Sequence, residues 1–380
     1  METSTKSKAV RNSFWGVLAF YFLVAFEFFY MAGPFAVYFY SVYAPVLNFF
    51  NRYPALSWLS SFFLPHAVRE TSSFFINSIE IVGAVLAIAG FFAFCVGACQ
   101  VYYHKIRRKG IVTGGIYNRI RHPQYASFIV CSFGLLILWP RYIVAILFAT
   151  MLFFYYLLAK AEEAECERKF GQPYIDFKNR TAMFLPFKLS FLPKLPKLPN
   201  RKGKKAIAMI CLYLLAIAAI LGAAKGLNEL AVDSLYATYT ERSANIALSR
   251  LTDEKINEAL SIALSDETVA AKLAVFDCSA NFINYVLPTE WFAAEIPMNG
   301  IEYTKGHSSP AGYDPNLYKV IITKADTWNG AEATGKEILT SVCMREPIAE
   351  VWVDLSASAI IKVLDMPEEI KYQGVPVAVY

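Results

Sequence analysis

The segment Ile111–Tyr125, IVTGGIYNRIRHPQY, places a glycine turn, two arginines and a histidine directly before a long apolar run. Gly114 and Gly115 permit a sharp turn and a close approach to the backbone. Pro123 suits the first turn of a helix, and the first amides of that helix are unpaired donors at its positive end. The segment therefore predicts a polar binding site at a bilayer edge, suited to a carboxylate, a ribose or a phosphate.

Apolar runs on both sides of this segment predict membrane-spanning helices. Hydrophobic residues make up 56% of the 380 residues and charged residues 18%, which is too apolar for one soluble domain. A bilayer core about 30 Å thick needs roughly 20 apolar residues of helix. About five spans are predicted, the third and fourth forming a helical hairpin: Phe14–Tyr40, Ile79–Tyr103, Ala126–Leu138, Tyr142–Ala159 and Ala206–Ala224.

The distribution of basic residues predicts the orientation. Lys and Arg cluster before the first span, between the second and third, and between 169 and 205, whereas the loop 44–73 holds only Arg52 and Arg69. By the positive-inside rule the N-terminus and Ile111–Tyr125 are cytoplasmic and the C-terminal part is extracytoplasmic. The predicted location is a bacterial inner membrane or an endomembrane, with the bilayer itself as partner.

Charge divides the chain in the same way. Residues 1–224 carry 24 Lys and Arg against 9 Asp and Glu, and residues 225–380 carry 12 against 22. The basic part suits anionic lipid headgroups. It has no feature of a nucleic-acid-binding module, so no nucleic-acid partner is predicted.

The predicted fold class is mainly α, a polytopic helical membrane bundle followed by an extracytoplasmic α+β domain. The predicted domains are a helical membrane domain over 1–187, a Pro- and Lys-rich cytoplasmic linker over 188–205, the fifth span over 206–224, and a soluble domain over 225–380. In the last, a helix is expected over Asp253–Ala274 behind a Thr252 cap, and strands over Leu317–Thr323 and Ala349–Leu355. Its predicted role is binding or sensing, with an extracytoplasmic protein as a possible partner.

Few residues of the soluble domain suggest chemistry. Cys278 and Cys343 form a disulfide or remain two unpaired thiols, and the sequence leaves both readings open. His307 is predicted to be a loop residue rather than a ligand. No metal-ligand spacing occurs, so no metal is predicted. Within the spans, Glu27 and Glu80 are expected to have polar partners, most simply by interhelical hydrogen bonds.

Individually, the polar residues around the hairpin have ordinary explanations. Arg119 and Arg121 are typical topology determinants, and Tyr117 and Tyr125 are consistent with interfacial aromatics. The glutamates after the hairpin fit the solvated face of a helix that pairs with the basic residues following it: Glu162, Glu163, Glu165 and Glu167 with Arg168 and Lys169. As an ordered set, an acidic pair facing a basic turn predicts a ligand that bears both an amine and an acid.

The order IVTGGIY-x3-RHPQY, apolar hairpin, EE-x6-FG-x2-Y and Phe184–Phe187 resembles the isoprenylcysteine carboxyl methyltransferase and phospholipid methyltransferase superfamily. The resemblance covers about Gln100–Phe187. It implies an integral membrane enzyme that binds S-adenosylmethionine and methylates a lipid or lipidated substrate, on oxygen or nitrogen, without a metal. It assigns no catalytic residue. The cofactor-binding residues that it implies are Gln100, Ile111, Val112, Tyr117, His122, Pro123, Gln124, Tyr125, Glu162 and Glu163.

Two positions depart from the family pattern. Leu158 stands where the carboxyl methyltransferases have an arginine for the substrate acid, and Ser127 stands where a glycine is usual. Two alternatives stay open. Glu165–Gly171 also resembles a segment of NADPH-dependent sterol reductases, and the bundle could be a degenerate methyltransferase that anchors a sensor or scaffold.

Overall fold

The computed structural model describes residues 44–107, 109–186, 201–299, 307–367 and 377–380. The predicted first span, Glu27 and residues 188–200 of the predicted linker lie outside these ranges. Chain contacts define two compact units. Among the described residues, the bundle unit comprises Val85–Gly134 and Leu147–Leu215, and the sheet unit comprises residues 44–84, Leu135–Ile146 and Ala216–Tyr380.

Helices form most of the described part of the chain between residues 44 and 233. They are α1 (Ala44–Asn51), α2 (Pro54–Ser57), α3 (Phe74–Ile106), α4 (Pro123–Leu138), α5 (Tyr142–Phe170), α6 (Gln172–Arg180) and α7 (Lys202–Asp233). Three of the described helices are long and apolar enough to cross a membrane: α3, α5 and residues 203–233 of α7. The first limb of the predicted hairpin, α4, is shorter. Because α7 begins at Lys202, the last residues of the predicted linker are helical.

Close packing of α3 against α4 fixes the start of α4. A Cβ added at Gly90 would lie 2.4 Å from the backbone nitrogen of Cys131, so only glycine permits this approach. Nearby, the Phe94 and Phe128 rings stack with centroids 4.0 Å apart. These contacts hold the polar residues that precede α4 against the bundle unit.

The sheet unit is built on a six-stranded mixed sheet of order β1-β2-β3-β6-β7-β8. β2 and β3 are parallel, and every other neighbouring pair is antiparallel. The strands are β1 (Ala237–Tyr239), β2 (Ser243–Ala247), β3 (Asn281–Pro288), β4 (Phe292–Ala293), β5 (His307–Ser308), β6 (Leu317–Thr327), β7 (Val342–Asp354) and β8 (Ala359–Leu364), with β4 and β5 forming a separate pair. The two strands predicted from the sequence are parts of β6 and β7.

Both faces of the central strands are covered, which explains the nearly continuous burial along β2, β3 and β6. Helices α8 (Asp253–Leu264) and α9 (Glu267–Leu273) join β2 to β3 and pack on one face through Ile256 and Val269. On the other face, Ile283, Tyr285 and Leu287 of β3 join a core that includes α10 (Glu337–Ser341) and the segment around Ala67. The alternation along β3 therefore divides its side chains between two cores.

The single helix predicted over Asp253–Ala274 is wrong, because the structure divides it into α8 and α9. Asp266 ends the continuity: its carboxylate accepts hydrogen bonds from the amides of Thr268 at 2.8 Å and Val269 at 3.1 Å, which caps α9. Thr252 precedes α8 but makes no side-chain capping bond. The stronger capping signal therefore lay inside the predicted helix.

Two further expectations for this domain are corrected. Cys278 and Cys343 form no disulfide, so the disulfide reading is wrong. Their sulfurs instead donate to the Asp277 carboxylate and the Asp326 carbonyl. His307 is not a loop residue, because it lies in β5 opposite Ala293 of β4.

Candidate functional site

Backbone pairing places the RHPQY segment beside the end of α6. The amides of Arg121 and His122 donate to the carbonyls of Ala182 at 2.9 Å and Met183 at 3.1 Å. The Phe184 ring contacts the His122 ring with centroids 5.9 Å apart. The two ends of the recognised motif are thus adjacent, although about 60 residues separate them in the sequence.

Arg121 and Glu163 form the buried core of an ion-pair network. Glu163 is 1% exposed, and its Oε1 accepts from Nε of Arg121 at 2.7 Å. The guanidinium also donates to the carbonyl of Lys178 at 2.8 Å and to that of Thr181. Arg121 therefore links α5 to α6 through buried hydrogen bonds. The interpretation of it as only a topology determinant is wrong.

Two lysines complete this network from outside. Lys178 Nζ lies 3.2 Å from Glu163 and 2.5 Å from Glu167, and Lys160 Nζ lies 3.5 Å from Glu163. Glu163 and Glu167 thus pair with α6 rather than with the basic residues that directly follow them. The solvated-face interpretation is therefore wrong for Glu163, whereas Glu167 remains 37% exposed.

Glu162 has a different environment from its neighbour. Its side chain is 40% exposed. The Tyr125 hydroxyl donates to Glu162 Oε1 at 2.5 Å, and His122 Nδ1 lies 3.4 Å from Oε2. The rings of His122 and Tyr125 stack with centroids 5.7 Å apart. Glu162 is therefore oriented by two buried rings while it remains accessible to a ligand.

Charge and burial shift the pKa values around this cluster. Burial lowers the pKa of His122, but hydrogen bonds and charge from Glu162 and Glu163 outweigh it, so the net pKa is raised. Burial raises the pKa of the Tyr117 phenol above its ordinary value, and the Glu162 charge adds to this effect. The pKa of Lys178 is raised by its hydrogen bond to Glu167. The cluster therefore favours a protonated imidazole and a neutral phenol.

A cavity of about 520 Å³ lies between α3 and the glycine turn. Its lining residues are Cys99, Gln100, Tyr103, His104, Val112, Gly114 and Gly115. Gly115 has a φ of 62°, which favours glycine, and a Cβ there would lie 2.2 Å from Nε2 of Gln100, so that side chain would have to move. The volume is within the range of about 300–1,000 Å³ found for small-molecule sites.

Three buried polar atoms around the cavity and turn have no hydrogen-bond partner among the described residues. They are Oε1 of Gln100, Nδ1 of His104 and the hydroxyl of Tyr117. Such atoms are costly to bury without a partner, and in a binding site a ligand supplies one. Of the three, only His104 was not among the predicted site residues.

The structure divides the predicted site residues into groups. His122, Tyr125, Glu162 and Glu163 form the charged cluster. Gln100 and Val112 line the cavity. Gln124 packs beside Gly97 of α3, and Pro123 is the first residue of α4. Ile111 packs at the edge of an apolar cluster around Tyr117, Tyr174 and Phe177.

Tyr117 and Tyr125 are 6% and 2% exposed, so neither is an interfacial aromatic facing lipid. The sequence reasoning also missed residues that the structure brings to the site. Tyr103 and His104 line the cavity, and Lys178 closes the ion-pair network. A signal for Lys178 existed, since it follows the motif residue Tyr174 by one helical turn and shares its face.

Comparison with known proteins identifies the part of the chain that holds these groups. Residues 78–173 match the family model described as phospholipid methyltransferase. Protein-S-isoprenylcysteine O-methyltransferase B from Arabidopsis thaliana is 33% identical over 87 residues, which cover 22% of this chain and 44% of that protein. Protein-S-isoprenylcysteine O-methyltransferase A from the same plant is 30% identical over 79 residues, covering 20% and 40%. No solved structure matches the chain significantly.

The chain thus spans less than half the length of these relatives. The resemblance predicted from the motif is confirmed for this segment. Together with the apolar helices, it identifies an integral membrane protein related to membrane methyltransferases.

Proposed function

Because residues 78–173 match the phospholipid methyltransferase family, we propose that the protein transfers a methyl group from S-adenosylmethionine to a lipid or lipidated acceptor. One observation carries the proposal: the matched segment contains both the cavity beside Gln100 and the Glu162 cluster. The cavity offers unpaired polar atoms, and the cluster offers an oriented carboxylate. Both therefore support the same site assignment.

The residues present fit this cofactor. Glu162 is an exposed carboxylate that suits an ammonium or ribose hydroxyls, and its orientation is set by His122 and Tyr125. The unpaired Oε1 of Gln100 and Nδ1 of His104 offer hydrogen bonds inside the cavity. Tyr103 supplies an aromatic face there. These groups together can bind a ligand with an amine, an acid and an aromatic ring.

The protein's own residues do the binding, orientation and exclusion of water. The bound cofactor supplies the activated methyl group, and its transfer leaves S-adenosylhomocysteine. Arg121 and Glu163 hold α5 against α6 and so fix the position of Glu162, which directly precedes Glu163 on α5. Alignment of this kind is the principal requirement for methyl transfer, because no proton relay is needed to activate the methyl group.

For the acceptor, we propose a membrane lipid rather than a prenylcysteine carboxylate. Leu158 provides no positive charge at the position where the carboxyl methyltransferases have arginine. The outer face of α3 exposes large apolar side chains, including Phe91, Phe92 and Val96, over which acyl chains can lie. The two relatives are isoprenylcysteine methyltransferases by name, so a prenylcysteine is the competing acceptor.

Cofactor binding is tested by calorimetry with S-adenosylhomocysteine on the protein in nanodiscs. Glu162→Gln and His122→Ala are expected to weaken binding about 10- to 100-fold, since hydrogen bonds to charged groups contribute about 1.5–3 kcal/mol. Glu165→Gln, an exposed acid on the same helix, is the matched control and keeps wild-type affinity. Equal affinity in all four proteins would contradict the proposed site. Binding of NADPH alone would favour a reductase, and binding of neither ligand a scaffold.

The acceptor is tested by incubating membranes with methyl-labelled cofactor and analysing the lipids. We expect a labelled lipid with wild-type protein and with Glu165→Gln, and none with Glu162→Gln. Label that is found only on a protein-bound prenylcysteine would overturn the lipid proposal while preserving the methyltransferase.

We also propose that the cofactor site faces the cytoplasm and that residues 225–380 lie on the opposite side. Cys278 is exposed and reports this directly. In a variant whose sole cysteine is Cys278, expressed in a bacterial inner membrane, a membrane-impermeant maleimide should label intact spheroplasts. Labelling that requires lysed spheroplasts would reverse the orientation.

A further inference from the structure

Three side chains of the types that ligate metals lie close together in the sheet unit. His66 belongs to the segment before α3, Glu295 follows β4, and His307 lies in β5. The β4–β5 pair aligns Ala293 with His307, which brings Glu295 to the same place. One nitrogen or oxygen from each of the three residues lies within 4.8 Å of the others.

The distances suit a single small cation. Nε2 of His307 lies 3.2 Å and Nε2 of His66 lies 3.6 Å from the same oxygen, Oε1 of Glu295. Zinc binds imidazole nitrogen and carboxylate oxygen at about 2.0–2.2 Å, so two ligands in a tetrahedral site are about 3.3 Å apart. Both distances to Glu295 are therefore close to this value, and the two histidine nitrogens lie within 4.8 Å of each other.

The burial of the acid gives an independent reason to expect a cation. Glu295 is only 8% exposed, and its Oε2 is buried with no hydrogen-bond partner among the described residues. Nδ1 of His307 is buried and unpartnered in the same way. A buried carboxylate is costly unless it is paired with positive charge or coordinates a metal. An ion bound between the acid and the two imidazoles would remove that cost.

The surroundings of His66 resemble the outer shell of a metal site. Its second nitrogen, Nδ1, lies 3.5 Å from Oε1 of Glu80, and Glu80 is in turn 3.8 Å from Arg69. A carboxylate behind a ligating histidine fixes the ring and raises its basicity as a ligand. The His66 ring also packs against Trp139, with centroids 5.3 Å apart, so the indole covers one side of the imidazole. Glu80 thus has a partner outside the spans rather than the expected interhelical bond.

We propose that His66, Glu295 and His307 bind one Zn²⁺ ion, with a fourth position left for water or a ligand. Two histidines and one glutamate form a known zinc ligand set, and three protein ligands leave a coordination position open. The ion joins the segment before α3 to the β4–β5 pair. This site is separate from the proposed methyl transfer, and neither proposal depends on the other.

The test is metal analysis of the full chain in nanodiscs, purified with a histidine-free affinity tag in metal-depleted buffer and then equilibrated with zinc chloride. Wild type should retain about one zinc per chain after desalting. His66→Ala, Glu295→Gln and His307→Ala should each lose it. The matched control is His104→Ala, which removes a histidine outside the trio and should keep the ion.

Two further measurements separate ligation from folding. Glu80→Gln should bind zinc about 10- to 100-fold more weakly without losing the site, as expected for an outer-shell carboxylate. His307→Cys replaces one zinc ligand with another and should restore stoichiometric binding. Wild-type protein that retains no zinc, or His307→Ala protein that retains as much as wild type, would overturn the proposal and leave the trio as an ion-pair cluster.

Discussion

Replacing Glu163 with glutamine removes the negative charge at the centre of the ion-pair network. The wild-type carboxylate is 1% exposed and faces Arg121 at 2.7 Å, Lys178 at 3.2 Å and Lys160 at 3.5 Å. The glutamine has nearly the same shape, so packing is preserved and the electrostatic effect is isolated. Lys178 still pairs with Glu167, but the buried guanidinium of Arg121 loses its carboxylate partner.

The expected loss of stability follows from the difference between an intact buried ion pair and a broken one. A buried ion pair contributes little relative to an apolar pair, but removing one partner costs about 3–5 kcal/mol because the other charge stays buried. Arg121 is only 10% exposed, so it takes that penalty, whereas Lys178 and Lys160 are 31% and 47% exposed and relax into solvent. Since glutamine still accepts one hydrogen bond, we expect the lower end, about 3 kcal/mol.

The measurement is the free energy of unfolding in mixed micelles as the fraction of sodium dodecyl sulfate rises. The control is Glu167→Gln, which loses a pair at 37% exposure and should cost under about 1 kcal/mol. The double variant Arg121→Met and Glu163→Met should be more stable than the sum of its single changes predicts. A Glu163→Gln loss no larger than that of Glu167→Gln would refute the reasoning.

Three other changes test separate parts of the structure. The pKa of His122 is raised in the folded protein. Its contribution to stability is therefore complete below its ordinary pKa of about 6.5 and disappears as the pH rises through the folded value. The melting temperature of the wild-type protein, relative to that of His122→Gln, should fall with increasing pH. Gly90→Ala forces a Cβ into the α4 backbone and should cost about 1–3 kcal/mol in detergent unfolding, whereas Gly222→Ala, a helical glycine with open space, should be neutral or up to about 1 kcal/mol stabilising. Asp266→Ala removes a cap and should cost about 1 kcal/mol, while Thr252→Ala, which makes no capping bond, should cost less in thermal unfolding of the chain.

The helical part of the fold and the charged cluster could be predicted because each has a local signature. Apolar length marks a spanning helix wherever it occurs, and α3, α5 and α7 follow it closely. The motif likewise brought His122 and Glu162 together, since its spacing encodes which elements meet. The motif does not encode that Glu162 is exposed whereas Glu163 is buried in ion pairs. This difference depends on how α5 is oriented towards α6.

The sheet unit shows where sequence reasoning ends. Strands β6 and β7 were recognisable from their apolar runs, but their neighbours in the sheet depend on contacts between distant residues. The same is true of His307, whose sequence surroundings are those of a loop. Its pairing with β4 and its contacts with Glu295 and His66 are visible only in the structure. Spacing rules detect candidate ligands that are close in sequence, whereas His66, Glu295 and His307 are far apart in the chain.

The contacts of the segment before α3 also have a consequence for biosynthesis. The Ser72 hydroxyl donates to the Ser234 carbonyl across 162 positions, and the Arg250 amide donates to Glu70 across 180. The amide of His66 donates to the carbonyl of Tyr380 at 2.8 Å. This early segment therefore leaves the ribosome long before its partners exist. Its backbone groups lack these hydrogen-bond partners while α3 to α7 are synthesised, so the sheet unit is completed late. A chain that terminated early would leave the groups of this segment without those partners.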